Sequence, residues 1–132
     1  MTKELIMKLI EKAKQSSGNA FCPYTNLPVG CALLVEGNIM FGGCNIESSA
    51  LSSSVDAGEV AIHKAISEGY TKFLAICFFQ SDGPPPYPSG KTLQLLAEFN
   101  DMIQIIVATE GDFQLHHLYE LLPFRPVSSM ED

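Results

Sequence analysis

A mixed α/β fold, with helices on both faces of one sheet, is what this sequence predicts. Segments whose apolar residues recur at helical spacing alternate with apolar, β-branched and aromatic runs of strand length. The turn-forming triplet Glu36-Gly37-Asn38 joins two of those runs with no helix between them. A chain of 132 residues has room for one core, and at this size roughly two thirds of the unfolded surface is buried.

Each element follows from its own pattern. Thr2 can cap a first helix on which Leu5, Ile6, Leu9, Ile10 and Ala13 share one face, ending near Gly18. F-C-P-Y-T-N-L-P carries two prolines and reads as a loop. V-G-C-A-L-L-V-E and I-M-F-G-G-C-N then form a hairpin. From Ala57 to Gly69 the residues Val60, Ala61, Lys64 and Ala65 keep helical period, a central buried helix stopped by glycine. F-L-A-I-C-F-F-Q and I-Q-I-I-V-A read as strands covered on both faces. Between them come the stiff loop S-D-G-P-P-P-Y-P and a helix from Ser89 to about Asn100. H-H-L-Y-E-L-L is a last short helix stopped at Pro123, which places His116 and His117 at its start. The acidic stretch at about 127–132 reads as a loose tail, and residues 1–132 as a single domain without repeat or linker.

Composition narrows the function classes. Eight Lys plus Arg against fifteen Asp plus Glu give a net charge of -7, which disfavours a nucleic acid backbone because each phosphate contact needs a cation. Apolar runs such as Ile103 to Ala108 fall far short of the roughly 20 residues a membrane span requires. Charges recur through M-T-K-E-L-I-M-K-L-I-E-K, unlike a signal peptide, so the expectation is a cytoplasmic protein. With 46% hydrophobic and 17% charged residues, some apolar surface is expected to be covered by other subunits. Cys22, Cys31, Cys44 and Cys77 form no C-x-x-C pair and read as reduced, mostly buried thiols. Cys31 and Cys44 can face each other across the hairpin, which leaves a disulfide open.

F-C-P-Y-T-N-L-P-V-G, G-C-N-I-E, A-I-H-K-A-I-S-E-G-Y and Y-E-L-L-P, in that order and spacing, resemble the small zinc-dependent cytidine deaminases. The resemblance runs from the first helix to about Pro123. It implies a cytidine-deaminase-like three-layer sandwich, a mixed five-stranded sheet with helices on both faces. It also implies a homotetramer in which neighbouring subunits complete each other's sites. In such enzymes a bound zinc lowers the pKa of a water to about 7 for attack on the base, and a glutamate moves the proton.

By that resemblance the metal ligands and the glutamate belong to C-A-E and P-C-x-x-C, each at a helix start. Here those motifs read Asp56-Ala57-Gly58 and Pro88-Ser89-Gly90-Lys91-Thr92. Gly58 takes the glutamate position, and Asp56, Ser89 and Thr92 take the ligand positions. Serine and threonine hydroxyls are poor zinc ligands, so no cofactor is expected. Glu59, one helical step from Gly58, points about 100° away. The same residues also read as caps, with Asp56 and Glu59 in a capping box and Ser89 an N-cap after proline. His63, His116 and His117 read as surface or packing side chains without a third ligand partner.

The resemblance assigns Asn45 and Glu47 to ribose hydroxyls, and two residues apart on a strand end they face the same way. Equally, they can simply cap and turn the chain. Leu27 stands where the family has a base-stacking aromatic, and Pro126 occupies the slot of a second ring, with Phe124 two places early. Three functions remain open: a catalytically inactive deaminase homologue serving as a structural or regulatory subunit, in a homotetramer or with an active deaminase; a module that weakly binds a pyrimidine nucleoside; and a weakly active or differently metallated enzyme.

Overall fold

The computed structural model describes residues 1–123, so Phe124, Pro126 and the tail at about 127–132 lie outside the described residues. Helix α1 (Lys3–Ser17) is capped by the Thr2 side chain, which accepts from the Leu5 amide. It leads to the hairpin β1 (Gly30–Val35) and β2 (Ile39–Cys44), whose turn passes through positive φ at Gly37 and Asn38. Helix α2 (Ala57–Ser67), strand β3 (Phe73–Phe79), helix α3 (Gly90–Phe99) and strand β4 (Gln104–Thr109) follow. Strand β5 (Asp112–His117) and the one-turn helix α4 (Leu118–Leu121) complete the order.

The sheet runs β2-β1-β3-β4-β5. Only β3 and β4 are parallel, with α3 as their crossover; the other neighbours are antiparallel. Ile6, Leu9 and Ala13 of α1 pack on one face against Ala32, Leu34, Cys77, Phe79 and Ile106. On the other face, Ala61, Ile62 and Ala65 of α2 and Leu93 and Leu96 of α3 pack on Leu33, Ile76, Ile105 and Val107. These alternating positions of the same strands supply the two cores of a three-layer sandwich. Gly43 lets α2 press onto β2, since a Cβ there would meet the Ala57 carbonyl oxygen at 2.4 Å and the Ala61 nitrogen at 2.6 Å. That close approach sets the height of the α2 N-terminus above the sheet.

The structure departs from the sequence expectation at His116 and His117. Both belong to β5, and the last helix begins only at Leu118. Gly111, at φ +83, turns the chain back so that Thr109 pairs with Asp112 and Gln104 with His117. D-F-Q-L-H-H forms an edge strand exposed along much of its length, so backbone pairing with β4 defines it more than an apolar pattern does.

All four cysteines are free. Across the hairpin Cys31 opposes Gly43, and Cys44 opposes Gly30, so the two thiols are not a directly opposed pair. Burial pushes the Cys31 and Cys77 thiols well above the usual thiol range, which keeps them protonated and unreactive. Among the described residues no helix is long and apolar enough to cross a membrane.

Candidate functional site

The N-termini of α2 and α3 meet beside the C-terminal end of β3. Asp56, the N-cap of α2, accepts the Glu59 amide on Oδ1 at 2.8 Å, while Glu59 accepts the Asp56 amide at 3.2 Å. This reciprocal pair satisfies two of the helix's unpaired donors. Ser89 caps α3 in turn, accepting the Thr92 amide at 3.2 Å.

The two caps also bind each other. Asp56 Oδ2 accepts the Thr92 hydroxyl at 2.7 Å and the Ser89 hydroxyl at 3.2 Å. On the flank, Glu59 Oε2 and Lys91 Nζ are 2.9 Å apart, with the Glu59 side chain 8% exposed. Burial pushes the Glu59 carboxyl up, but the Lys91 ammonium, the Asp56 N–H and the charge of His63 together hold it below the usual carboxylate range. Asp56, Ser89 and Thr92 are thus brought together, although 33 and 36 positions separate the first from the other two.

Gly58 lies just inside α2, under the ring of Phe78. A Cβ built there would sit 2.7 Å from Thr92 Cγ2 and 2.8 Å from Phe78 Cε1. Both neighbours are buried, with Thr92 fully enclosed. A side chain at this position therefore requires the wall of the core to move.

Beside Gly58 a cavity of about 260 Å³ opens to solvent. Val29 and Phe78 form its apolar floor, Asn45, Asp56 and Ser89 bring polar atoms, and Gln80, directly after β3, walls it together with Pro86 and Tyr87 of the proline loop. Of the three residues assigned to a nucleoside by resemblance, Asn45 lies on this lining while Glu47 and Leu27 lie outside it. Asn45 accepts the Val29 amide at 2.9 Å and donates to the Leu27 carbonyl at 3.0 Å. Glu47 accepts the Thr25 hydroxyl at 2.6 Å and the amides of Tyr24 and Thr25 at 2.9 and 3.2 Å. Both side chains thus hold the 22–29 loop in place. Leu27 is 41% exposed.

His63 is on the exposed face of α2, and His117 stacks on Tyr119 at the far end of β5. Sequence reasoning overlooked Phe78, Gln80 and Tyr87. The signal for Tyr87 was present, as the lone aromatic in a run of prolines; Phe78 read only as core.

Comparison with known proteins places this geometry. Residues 3–95 match the family model of the cytidine and deoxycytidylate deaminase zinc-binding region. The chain belongs to the cytidine deaminase family. It is 36% identical over 120 residues to a cytidine deaminase of Sporosarcina psychrophila, covering 89% of this chain and 88% of that one. A cytidine deaminase of Halalkalibacterium halodurans is 33% identical over 117 residues, covering 87% and 89%. The crystal structure of cytidine deaminase from Burkholderia pseudomallei superposes with a TM-score of 0.86 at 29% identity, covering 96% of this chain and all of that one. The five-stranded sheet between helices is the cytidine deaminase fold.

Family membership corrects one expectation. The substitutions at the ligand positions suggested a chain without a cofactor, whereas the matched region is the zinc-binding region of its family and contains Asp56, Ser89 and Thr92. The error lay in reading the ligand chemistry of three side chains as a property of the whole chain. Those side chains offer one carboxylate and two hydroxyls, and no group of three or more His, Cys, Asp or Glu is found among the described residues. This oxygen set departs from the thiolate and imidazole ligands that zinc most often takes, and keeps one carboxylate that can serve it.

Proposed function

We propose that this member of the cytidine deaminase family does not deaminate, and that it serves as a structural or regulatory subunit. The observation that carries the reading is the space at Gly58. Zinc-dependent deaminases need a glutamate as general acid and base, and the resemblance puts it at this position. Glycine has no proton to move, and Phe78 and Thr92 occupy the volume a side chain would need. Glu59 is engaged elsewhere, paired with Lys91 and the Asp56 amide.

The test is incubation of zinc-supplemented protein with cytidine or deoxycytidine, followed for uridine or deoxyuridine. No product above a protein-free control is expected. Turnover proportional to protein concentration would overturn the reading and favour a weakly active enzyme.

Assembly with copies of itself or with an active deaminase is part of this proposal. Leu51, Tyr24 and Phe21 are 86%, 64% and 59% exposed, which is apolar surface that subunit contact would cover. A sedimentation mass of four chains, reduced by Leu51→Asp, is the expected result; a native monomer at micromolar concentration would count against it.

A second reading is favoured by the cavity beside Gly58, which joins an apolar floor to polar groups at its edge. In this reading it binds a pyrimidine nucleoside without converting it. Cytidine at millimolar concentration should then raise the unfolding midpoint by mass action; an unchanged midpoint would remove the reading.

A further inference from the structure

A flat ring bound in this cavity needs a flat wall, and Leu27 is not on the lining. Tyr87 is. Its hydroxyl donates to Gln114 Oε1 at 2.9 Å and lies 3.2 Å from His116 Nε2. Its ring packs against the His116 imidazole with centroids 5.4 Å apart. Gln114 and His116 both belong to β5, so the sheet holds the ring even though a loop carries it.

The loop is itself constrained. Four of its residues, Pro84, Pro85, Pro86 and Pro88, have φ fixed by their own rings. The Gln80 side chain, 6% exposed, donates to the carbonyls of Asp82 and Pro84. Tyr87 nevertheless stays 48% exposed, so a large part of its surface remains available. A ring held this way loses little freedom when a ligand packs on it.

The geometry points to Tyr87 as the specificity-determining wall of the cavity, a preset aromatic face on which the single ring of a pyrimidine nucleoside stacks. This rests on the nucleoside-binding reading of the same cavity. A volume of about 260 Å³ lies below the roughly 300–1,000 Å³ of pockets for drug-sized ligands, which favours one ring over the two of a purine. Asp56 and Ser89 add polar groups to the lining beside it.

Cytidine, adenosine and ribose are titrated calorimetrically into the full chain and into Tyr87→Phe and Tyr87→Leu, with the cytidine H5 and H6 resonances followed by NMR. The native chain should bind cytidine saturably and more tightly than adenosine, and an aromatic ring current should move H5 and H6 upfield. Tyr87→Phe should keep the upfield shift, and Tyr87→Leu should reduce it to what the Phe78 ring of the floor leaves, together with a loss of about 5- to 150-fold in affinity. Ribose affinity should be the same in all three. Unchanged cytidine affinity and ring shift in Tyr87→Leu would overturn the inference and leave the nucleoside-binding reading standing. Failure of the native chain to bind cytidine would overturn both. Should Tyr87→Leu not fold, the native and Tyr87→Phe chains decide, because bound cytidine without an upfield shift in either also overturns it.

Discussion

The Thr92 hydroxyl donates to Asp56 Oδ2 at 2.7 Å, tying the first turn of α3 to the cap of α2 across 36 positions of sequence. A hydrogen bond to a charged acceptor contributes about 1.5–3 kcal/mol, and Thr92 is fully buried. Thr92→Val keeps the shape and removes the donor, so urea unfolding should show a loss of about that size. Thr92→Ser, which keeps the hydroxyl, should lose less. Equal losses in the two variants would mean that the methyl packing, rather than the bond to Asp56, holds the helices together.

Gly58→Ala should have the opposite sign from the usual helix substitution. Alanine in place of glycine within a helix normally stabilises by roughly 0.5–1 kcal/mol. Here the added Cβ meets Phe78 and Thr92 below 3 Å, and overpacking of this kind costs about 1–3 kcal/mol. Thermal unfolding of Gly58→Ala and Gly58→Glu should show lower midpoints, with the larger side chain worse. A midpoint raised by Gly58→Ala would show that the ring of Phe78 yields freely.

Glu59 makes stability depend on acid. Its carboxyl is held below the usual range in the folded chain, so the stabilisation is fully present above the unfolded carboxylate pKa of about 4.3. It is lost as pH falls through the lowered folded value. The native midpoint should therefore drop more steeply between about pH 5 and 3 than that of Glu59→Gln. Parallel curves would place the acid sensitivity elsewhere.

Glu47 should act as a clamp on its own loop. The Thr25 hydroxyl holds its carboxyl below the usual range; burial opposes it, and the Tyr24 and Thr25 amides add to the lowering. Glu47→Ala should speed hydrogen exchange at the Tyr24 and Thr25 amides by roughly fivefold, the equivalent of one hydrogen bond. The amides of α2 should be unaffected. Unchanged exchange at residues 24 and 25 would show that the loop is held without Glu47.

Much of the molecule was legible where the signal is local. The Asp56–Glu59 capping box and the Ser89 cap depend on residues three apart, and both form as their spacing suggests. The hairpin followed from Glu36-Gly37-Asn38, and the covered strands from their continuous apolar runs. Strand β5 was not legible, because D-F-Q-L-H-H pairs on one edge only and alternates too weakly to announce itself.

The sequence by itself determined the local elements: helices from spacing and caps, strands from apolar runs, and the turns between them, all set by interactions within a few residues. Only the tertiary structure decided what those elements do together. It joined Asp56 to Ser89 and Thr92, placed Phe78 over Gly58, and fixed Tyr87 to Gln114 and His116 beside the cavity. These are contacts between residues 20 to 36 positions apart, and the packing of α2 and α3 on one sheet sets their geometry.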